Sequence, residues 1–153
     1  MDKRKVQLKS HAVSADEDLK WLRAFLEKNA LPYEDIQTKG NRFFLYRKGD
    51  TIVGCGGLEL YGDCCLLRSV AVGKEFRGGG YGKEIVADLM VQATEHPVSS
   101  VWLLTETAEA FFNKLGFSKH SRSNAPDEIK KSSEFSSVCP VSAVLMSRVI
   151  AKS

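Results

Sequence analysis

Histidine and cysteine are scarce in this chain, and charge of neither sign prevails. His11, His96 and His120 stand far apart, and Cys55, Cys64, Cys65 and Cys139 form no C-x-x-C pair, so no zinc-type ligand spacing is present. Free thiols and no metal are expected. Cys64 and Cys65 are neighbours, but adjacent strand residues point to opposite faces and converge on a soft metal only across a bulge or turn; buried thiols are the simpler reading. The net charge is only +3, and the one basic cluster, Lys3, Arg4, Lys5 and Lys9, reads as a solvated terminus, so no nucleic-acid partner is expected. No apolar run approaches the ~18 residues of a membrane span, and Met1-Asp2-Lys3-Arg4-Lys5 leads into no apolar leader core. A cytoplasmic protein without a membrane partner is expected. Repeats and low-complexity segments are missing too.

What remains is an ordinary globular composition: 153 residues, 43% apolar and 27% charged. A chain of this length buries roughly 70% of its unfolded surface, so one core and one domain over 1–153 are expected, as a monomer or homodimer.

The coarse pattern is mixed. Residues 6–11 alternate loosely, as a first strand would. Ser14 followed by Glu17 reads as a capping box, and Leu19, Leu22, Phe25 and Leu26 recur at helical spacing after it. Pro32 suits the first position of a short helix over 31–36. Runs 42–47 and 51–60 are strands joined by Lys48-Gly49-Asp50, and Gly54, Gly56 and Gly57 suggest a bulge or a close backbone approach in the second. A third strand, 64–72, ends at a glycine cluster, and a helix runs from Gly82 to about 95, before Pro97. Residues 99–104 form a buried-type strand, which the intervening helix makes a parallel neighbour of 64–72 through a right-handed crossover. A helix over 105–115 closed by Gly116, a strand from Phe117, a short helix near Pro126 and a last apolar stretch over 138–150 complete the chain.

The chemistry concentrates at Arg77-Gly78-Gly79-Gly80-Tyr81-Gly82-Lys83. Glycines at a strand-to-helix junction let the backbone close around an anion, and the unpartnered first amides of the helix add positive charge. Spacing decides which anion. The nucleotide loop G-x-x-x-x-G-K-[ST] would place its first Gly at Arg77 and its Ser or Thr at Glu84. The dinucleotide fingerprint G-x-G-x-x-G would need Gly at Lys83 or Ile85, or at Glu59 if it began at Gly54. Both fail. The spacing [RQ]-x-x-G-x-[GA], read as Arg77, Gly80 and Gly82, does match, and here the sequence resembles the GNAT superfamily of acyl-CoA-dependent N-acetyltransferases. The resemblance implies an α/β (α+β) fold: a mixed central sheet with antiparallel N-terminal strands, a splayed parallel pair (64–72 and 99–104) and helices on both faces. It also implies acetyl-CoA as donor, with its diphosphate on residues 77–83 (Arg77, Gly78, Gly79, Gly80, Tyr81, Gly82, Lys83). The pantetheine arm then lies along the backbone of Val70, Ala71 and Val72, as an added strand would. Val70 and Val72 can be plain strand core at the same time.

Ala108-Glu109-Ala110-Phe111-Phe112-Asn113-Lys114-Leu115-Gly116-Phe117 resembles the second motif of that superfamily, with one departure. Where many relatives carry Tyr, the general acid for the departing thiolate, this chain has Phe112, which has no proton to give. A thiol of pKa ~8.5 still leaves at modest cost. For the base, Glu59 at a strand end and Glu106 are the candidates; an exposed structural charge is the competing reading of Glu59. An amine of pKa ~10.4 loses ~4 kcal/mol at pH 7 to protonation, whereas one of pKa ~8 loses only ~1.4 kcal/mol and hardly needs a base.

Three further stretches narrow the resemblance to the arsenic-resistance, ArsN-type branch: Leu66-Leu67-Arg68-Ser69-Val70-Ala71-Val72, Leu103-Leu104-Thr105-Glu106-Thr107, and Arg122-x-x-Ala125-Pro126 with Phe135-x-x-x-Cys139-Pro140. It implies a small amino-acid-like amine bearing an arsinate or phosphinate group as acceptor. Arg68, expected to share a strand face with Val70 and Val72, and Arg122 are the candidates for that anion; pairing with a structural carboxylate is the competing reading of Arg68. Cys139 is a candidate pocket residue or an inert core thiol. A coenzyme A-binding sensor or partner protein with little turnover is the alternative function.

Overall fold

Alternation in a single strand dictates a sheet covered on both sides. The computed structural model describes residues 8–37, 40–132, 135 and 142–150. In β2 (Asn41–Lys48), Phe43 and Leu45 enter one apolar cluster, while Tyr46, with Phe44 packed alongside, enters another. The described strands form one seven-stranded sheet. β1 (Lys9–Ala12), β2, β3 (Thr51–Tyr61) and β4 (Cys64–Val72) run antiparallel in sequence order. β5 (Ser100–Thr105) then pairs with β4 in parallel, and β7 (Val144–Val149) lies between β5 and the edge strand β6 (Ser118–His120). α1 (Asp16–Lys28) and α4 (Asp127–Lys130) cover one face. α2 (Tyr81–Thr94) and α3 (Glu109–Lys114) cover the other. The mixed sheet, its parallel pair and its two-sided helical cover are those expected.

Several local expectations are corrected. α1 begins at Asp16 with Ala15 as N-cap and no side-chain cap, so Ser14 falls one position short; Asp16, Glu17 and Asp18 in the first turn supply the negative charge a helix start favours. Residues 34–37 form turns, with no helix over 31–36, because Ile36 is drawn into the cluster under α1. α3 starts only at Glu109, since Thr105 still pairs with Val144 and its Oγ1 accepts the amide of Ala108 at 3.0 Å. Of the stretch 138–150, the described strand is Val144–Val149, and it lies inside the sheet between β5 and β6.

The expected irregularity in the glycine-rich strand has a definite form. Cys55 pairs with Ala71 and Gly57 with Arg68, so Gly56 alone faces both Ser69 and Val70, a β-bulge in β4. Ser69 takes φ +61° there. The close approach is at Gly54, where a Cβ would stand 2.4 Å from the Ala71 carbonyl oxygen. Cys64 and Cys65 are buried in the clusters on opposite faces. Burial pushes the thiols of Cys55 and Cys65 up to about 12 and that of Cys64 up to about 11. At pH 8 the thiolate fraction of Cys55 is therefore on the order of 10⁻⁴, and the thiolate is the nucleophile. Iodoacetamide on the native protein should leave residues 55, 64 and 65 unmodified in a peptide map and label all three in denaturant; labelling of Cys55 in the native protein would contradict this burial.

Candidate functional site

The bulge decides where the side chains of β4 point. Ahead of it, Cys65 and Leu67 face α2, and Cys64, Leu66 and Arg68 face the other side; beyond it, Val70 and Val72 pack on the α2 side and Ala71 on the α1 side. Arg68 therefore does not share a face with Val70 and Val72, because the extra residue inverts the alternation.

The parallel pairing of β4 with β5 is short: Cys64 with Ser100, Cys65 with Val101 and Leu66 with Trp102. Past Leu66 the strands part, while β5 stays paired to β7 as far as Thr105 and β4 to β3 as far as Val72. The gap is a cleft of about 170 Å³. Its walls combine Val70, Ala108 and Phe112 from the α2 side with Leu31 and Arg68 from the α1 side, so it passes through the sheet. The segment 31–36 borders this cleft through Leu31 and Pro32. Ser69, Leu103, Thr105 and Thr107 also line it.

Beside the α2 end of the gap lies a second, larger cleft of about 350 Å³, walled by Val72, Phe76, Arg77, Gly78, Gly80, Tyr81, Gly82, Lys83 and Phe111. Gly78 and Gly80 take φ +87° and +84°, where an L side chain is strained. Glu84 is the first residue of α2 whose amide finds an intrahelical partner, the Gly80 carbonyl at 3.2 Å. The amides of Tyr81, Gly82 and Lys83 therefore have no partner in the preceding turn, and they open a 14-residue helix toward the loop. Arg77 braces this loop: its Nε donates to the Val72 carbonyl at 3.1 Å and its Nη2 to Asn29 Oδ1 at 2.7 Å. Lys48 Nζ lies 3.2 Å from the Tyr81 hydroxyl. A loop with free amides and three nearby cations fits a diphosphate. The residues predicted to hold coenzyme A thus line two adjoining clefts, with Gly79 completing the loop and Ala71 turned to the α1 side. Phe111 and Phe112, in edge contact at 5.0 Å, stand one in each.

The acceptor-side predictions fare differently. Arg68 is 3% exposed and bound on every side. Nη1 and Nη2 donate to the two oxygens of Asp35 at 2.7 and 2.8 Å, Nη1 also to Glu59 Oε2 at 2.5 Å, and Nε to Ser69 Oγ at 3.2 Å. The structural-carboxylate alternative for Arg68 is the one this geometry fits. Glu59, 3% exposed, also receives the Tyr61 hydroxyl and does not reach the cleft wall, which corrects its reading as an exposed strand-end charge. Burial, and then the bond to Glu59, push the Tyr61 phenol above its ordinary range. Glu106 is exposed, between the cleft residues Thr105 and Thr107. Arg122 donates to the carbonyls of Ala143 and Phe135 at 3.0 and 3.2 Å, with its guanidinium 4.5 Å from the Phe135 ring, and it does not line the cleft. Cys139 lies outside the described residues. Sequence reasoning missed Asp35, Tyr61, Ser69 and Phe111. Only Phe111 carried a local signal, its place inside the second motif.

The sequence model of the Acetyltransferase (GNAT) family matches residues 11–117. The chain is 34% identical over 102 residues to an amino-acid acetyltransferase of Mycobacterium tuberculosis, covering 63% of this chain and 56% of that one. It is 23% identical over 111 residues to an amino-acid acetyltransferase of Neisseria meningitidis, covering 71% of this chain and 23% of that one. The chain thus spans less than two thirds of the length of these relatives. Among solved structures, a Mycobacterium tuberculosis protein in complex with CoA superposes with a TM-score of 0.72 at 25% identity, over 92% of this chain and 99% of that one.

Proposed function

Because the chain belongs to the acetyltransferase (GNAT) family, we propose that it transfers an acetyl group from acetyl-coenzyme A to the amine of a small, amino-acid-like molecule. The observation that carries this reading is the placement of the diphosphate-type loop beside a cleft that crosses the sheet, with Val72 and Phe111 walling the one and Val70 and Phe112 the other. A donor anchored on the amides of Tyr81, Gly82 and Lys83 has the unpaired edge of β4, at residues 70–72, as the track for its pantetheine arm. The acetyl end then lies in the gap, and an acceptor enters past Leu31 and Pro32. Holding two reactants in this way is itself a large part of catalysis, since it converts a bimolecular encounter into a positioned one. The amino-acid character of the acceptor draws on the two curated relatives.

Phe112 donates no proton, and no carboxylate lines the cleft among the described residues. The proposed reaction therefore relies on thiol acidity for the leaving group and on an acceptor amine of modest pKa, with Glu106 taking up the proton through water. An arsinate- or phosphinate-bearing amino acid is the finer form of the proposal; it rests on the sequence resemblance, because Arg68 and Arg122, the groups chosen for the oxyanion, are already engaged. The missing acid also favours the second reading, a coenzyme A-binding protein with little turnover.

Mixing the protein with acetyl-coenzyme A and a panel of amino acids, including phosphinate-bearing ones, should release free thiol saturably for at least one acceptor. Saturable binding of acetyl-coenzyme A with no release for any amine would instead establish the binding protein.

A further inference from the structure

Ser69 is the point on the cleft wall where backbone strain, a buried charge and an unspent hydrogen-bond donor coincide. A non-glycine residue at φ +61° is strained; such residues persist only where the surrounding structure over-determines them, and they cluster at active sites. Glycine would make the same bulge without that strain. The serine is also held: its Oγ accepts the Arg68 Nε–H at 3.2 Å, and its carbonyl accepts the Cys55 thiol at 3.1 Å. Arg68 in turn cannot swing away, because Asp35 and Glu59 grip its other two nitrogens. A hydroxyl has one hydrogen to give and two lone pairs. Arg68 uses a lone pair, and the hydrogen has no acceptor given to it among the described residues, on a side chain that lines the cleft.

We infer that Ser69 is a catalytic residue that donates a hydrogen bond to the acyl carbonyl oxygen as it is attacked. Arg68, fixed by Asp35 and Glu59, is its positioning residue. The inference rests on the acetyltransferase reading. In the step concerned, the acceptor nitrogen's lone pair forms a bond to the thioester carbon and the carbonyl π pair moves onto oxygen, where the Ser69 hydrogen bond stabilises it. The pair returns as the C–S bond breaks, the sulfur leaves as thiolate, and the nitrogen's surplus proton passes through water to Glu106. Donors aimed at the developing oxyanion are worth more than donors to the ground-state carbonyl. An N–H bond into the hydroxyl's lone pair polarises its O–H and strengthens that donation.

Two variants of the full chain separate hydroxyl from backbone. Ser69→Gly removes the hydroxyl and relieves the torsion, whereas Ser69→Ala removes the hydroxyl and keeps the torsion. Both are expected to lose on the order of 10²-fold in kcat, with amine KM and the coenzyme A dissociation constant within about twofold of the parent. A readout independent of turnover is the infrared carbonyl stretch of bound acetyl-coenzyme A labelled with ¹³C at the carbonyl: it should lie lower in the parent protein than in either variant. Full kcat in Ser69→Gly, with loss only in Ser69→Ala, would assign the position to backbone geometry and overturn the inference. So would an identical stretch in all three proteins. A parent protein that binds acetyl-coenzyme A and turns over no amine defeats the acetyltransferase reading instead, and the stretch then still decides the Ser69 contact.

Discussion

Alanine at position 68 should lower folding stability by about 3–5 kcal/mol, the loss typical when one partner of a buried ion pair is removed. The Arg68 side chain has no exposed surface, and the side chains of its partners Asp35 and Glu59 are 12% and 4% exposed. Deleting the guanidinium leaves two carboxylates facing each other across a small cavity, with the Tyr61 hydroxyl still donating to Glu59. At an effective dielectric of ~20, one such charge pair at 4 Å is worth ~4 kcal/mol, so the repulsion created is comparable with the attraction lost. For a chain of this size the change corresponds to a melting temperature lower by roughly 10 °C. Arg68→Lys keeps the charge but not the two-pronged geometry that spans both oxygens of Asp35, and should fall between parent and alanine. Combining Arg68→Ala with Glu59→Gln removes one of the stranded charges and should recover part of the loss. Urea unfolding of the three variants checks this series; a loss below about 1 kcal/mol for Arg68→Ala would place it among exposed ion pairs and rule out a dry network.

That network was hidden from the sequence for a physical reason. Asp35 lies 33 residues from Arg68 and sits in a turn that the sequence presents as a helix start after Pro32. The bulge is harder still. Three glycines in β3 signalled an irregularity, but the extra residue belongs to β4, opposite Gly56, and it reverses the side-chain alternation from Ser69 onward. A period-two reading of 64–72 has no means of detecting one unpaired residue, so it placed Arg68 on the face of Val70 and Val72. The glycine loop was legible because its information is local: a strand end at Val72, residues at positive φ and a helix start at Tyr81 follow one another within ten positions. The parting of β4 and β5 was expected from the family resemblance, which implies a splayed pair; the residues alone gave only parallel neighbours. Its onset after Leu66 is a property of the pairing, and no residue there announces it.

Locality also makes the loop the place for the sharpest separation of binding from folding. Gly82→Val should weaken coenzyme A binding at least 100-fold, about 2.7 kcal/mol, while leaving the melting temperature nearly unchanged. A Cβ at Gly82 would meet Phe111 Cζ at 3.4 Å and Val72 Cγ2 at 3.8 Å, ordinary contacts, so the backbone has no need to move. The two methyls of valine then fill the floor of the cleft between those same side chains, where the diphosphate would lie. Helix propensity opposes any stability loss, since glycine is the poorer helix former. Gly80→Ala tests the converse. A Cβ there meets nothing within 4 Å, so its cost is the torsion at φ +84°, about 1–2 kcal/mol of stability, with the amides of Tyr81, Gly82 and Lys83 still presented to the anion. The two substitutions, two residues apart, should therefore split cleanly, one in calorimetric affinity for coenzyme A and the other in thermal unfolding. If Gly82→Val binds coenzyme A as the parent does, the diphosphate rests elsewhere, and the cleft walled by Val72 and Phe111 loses its claim to it.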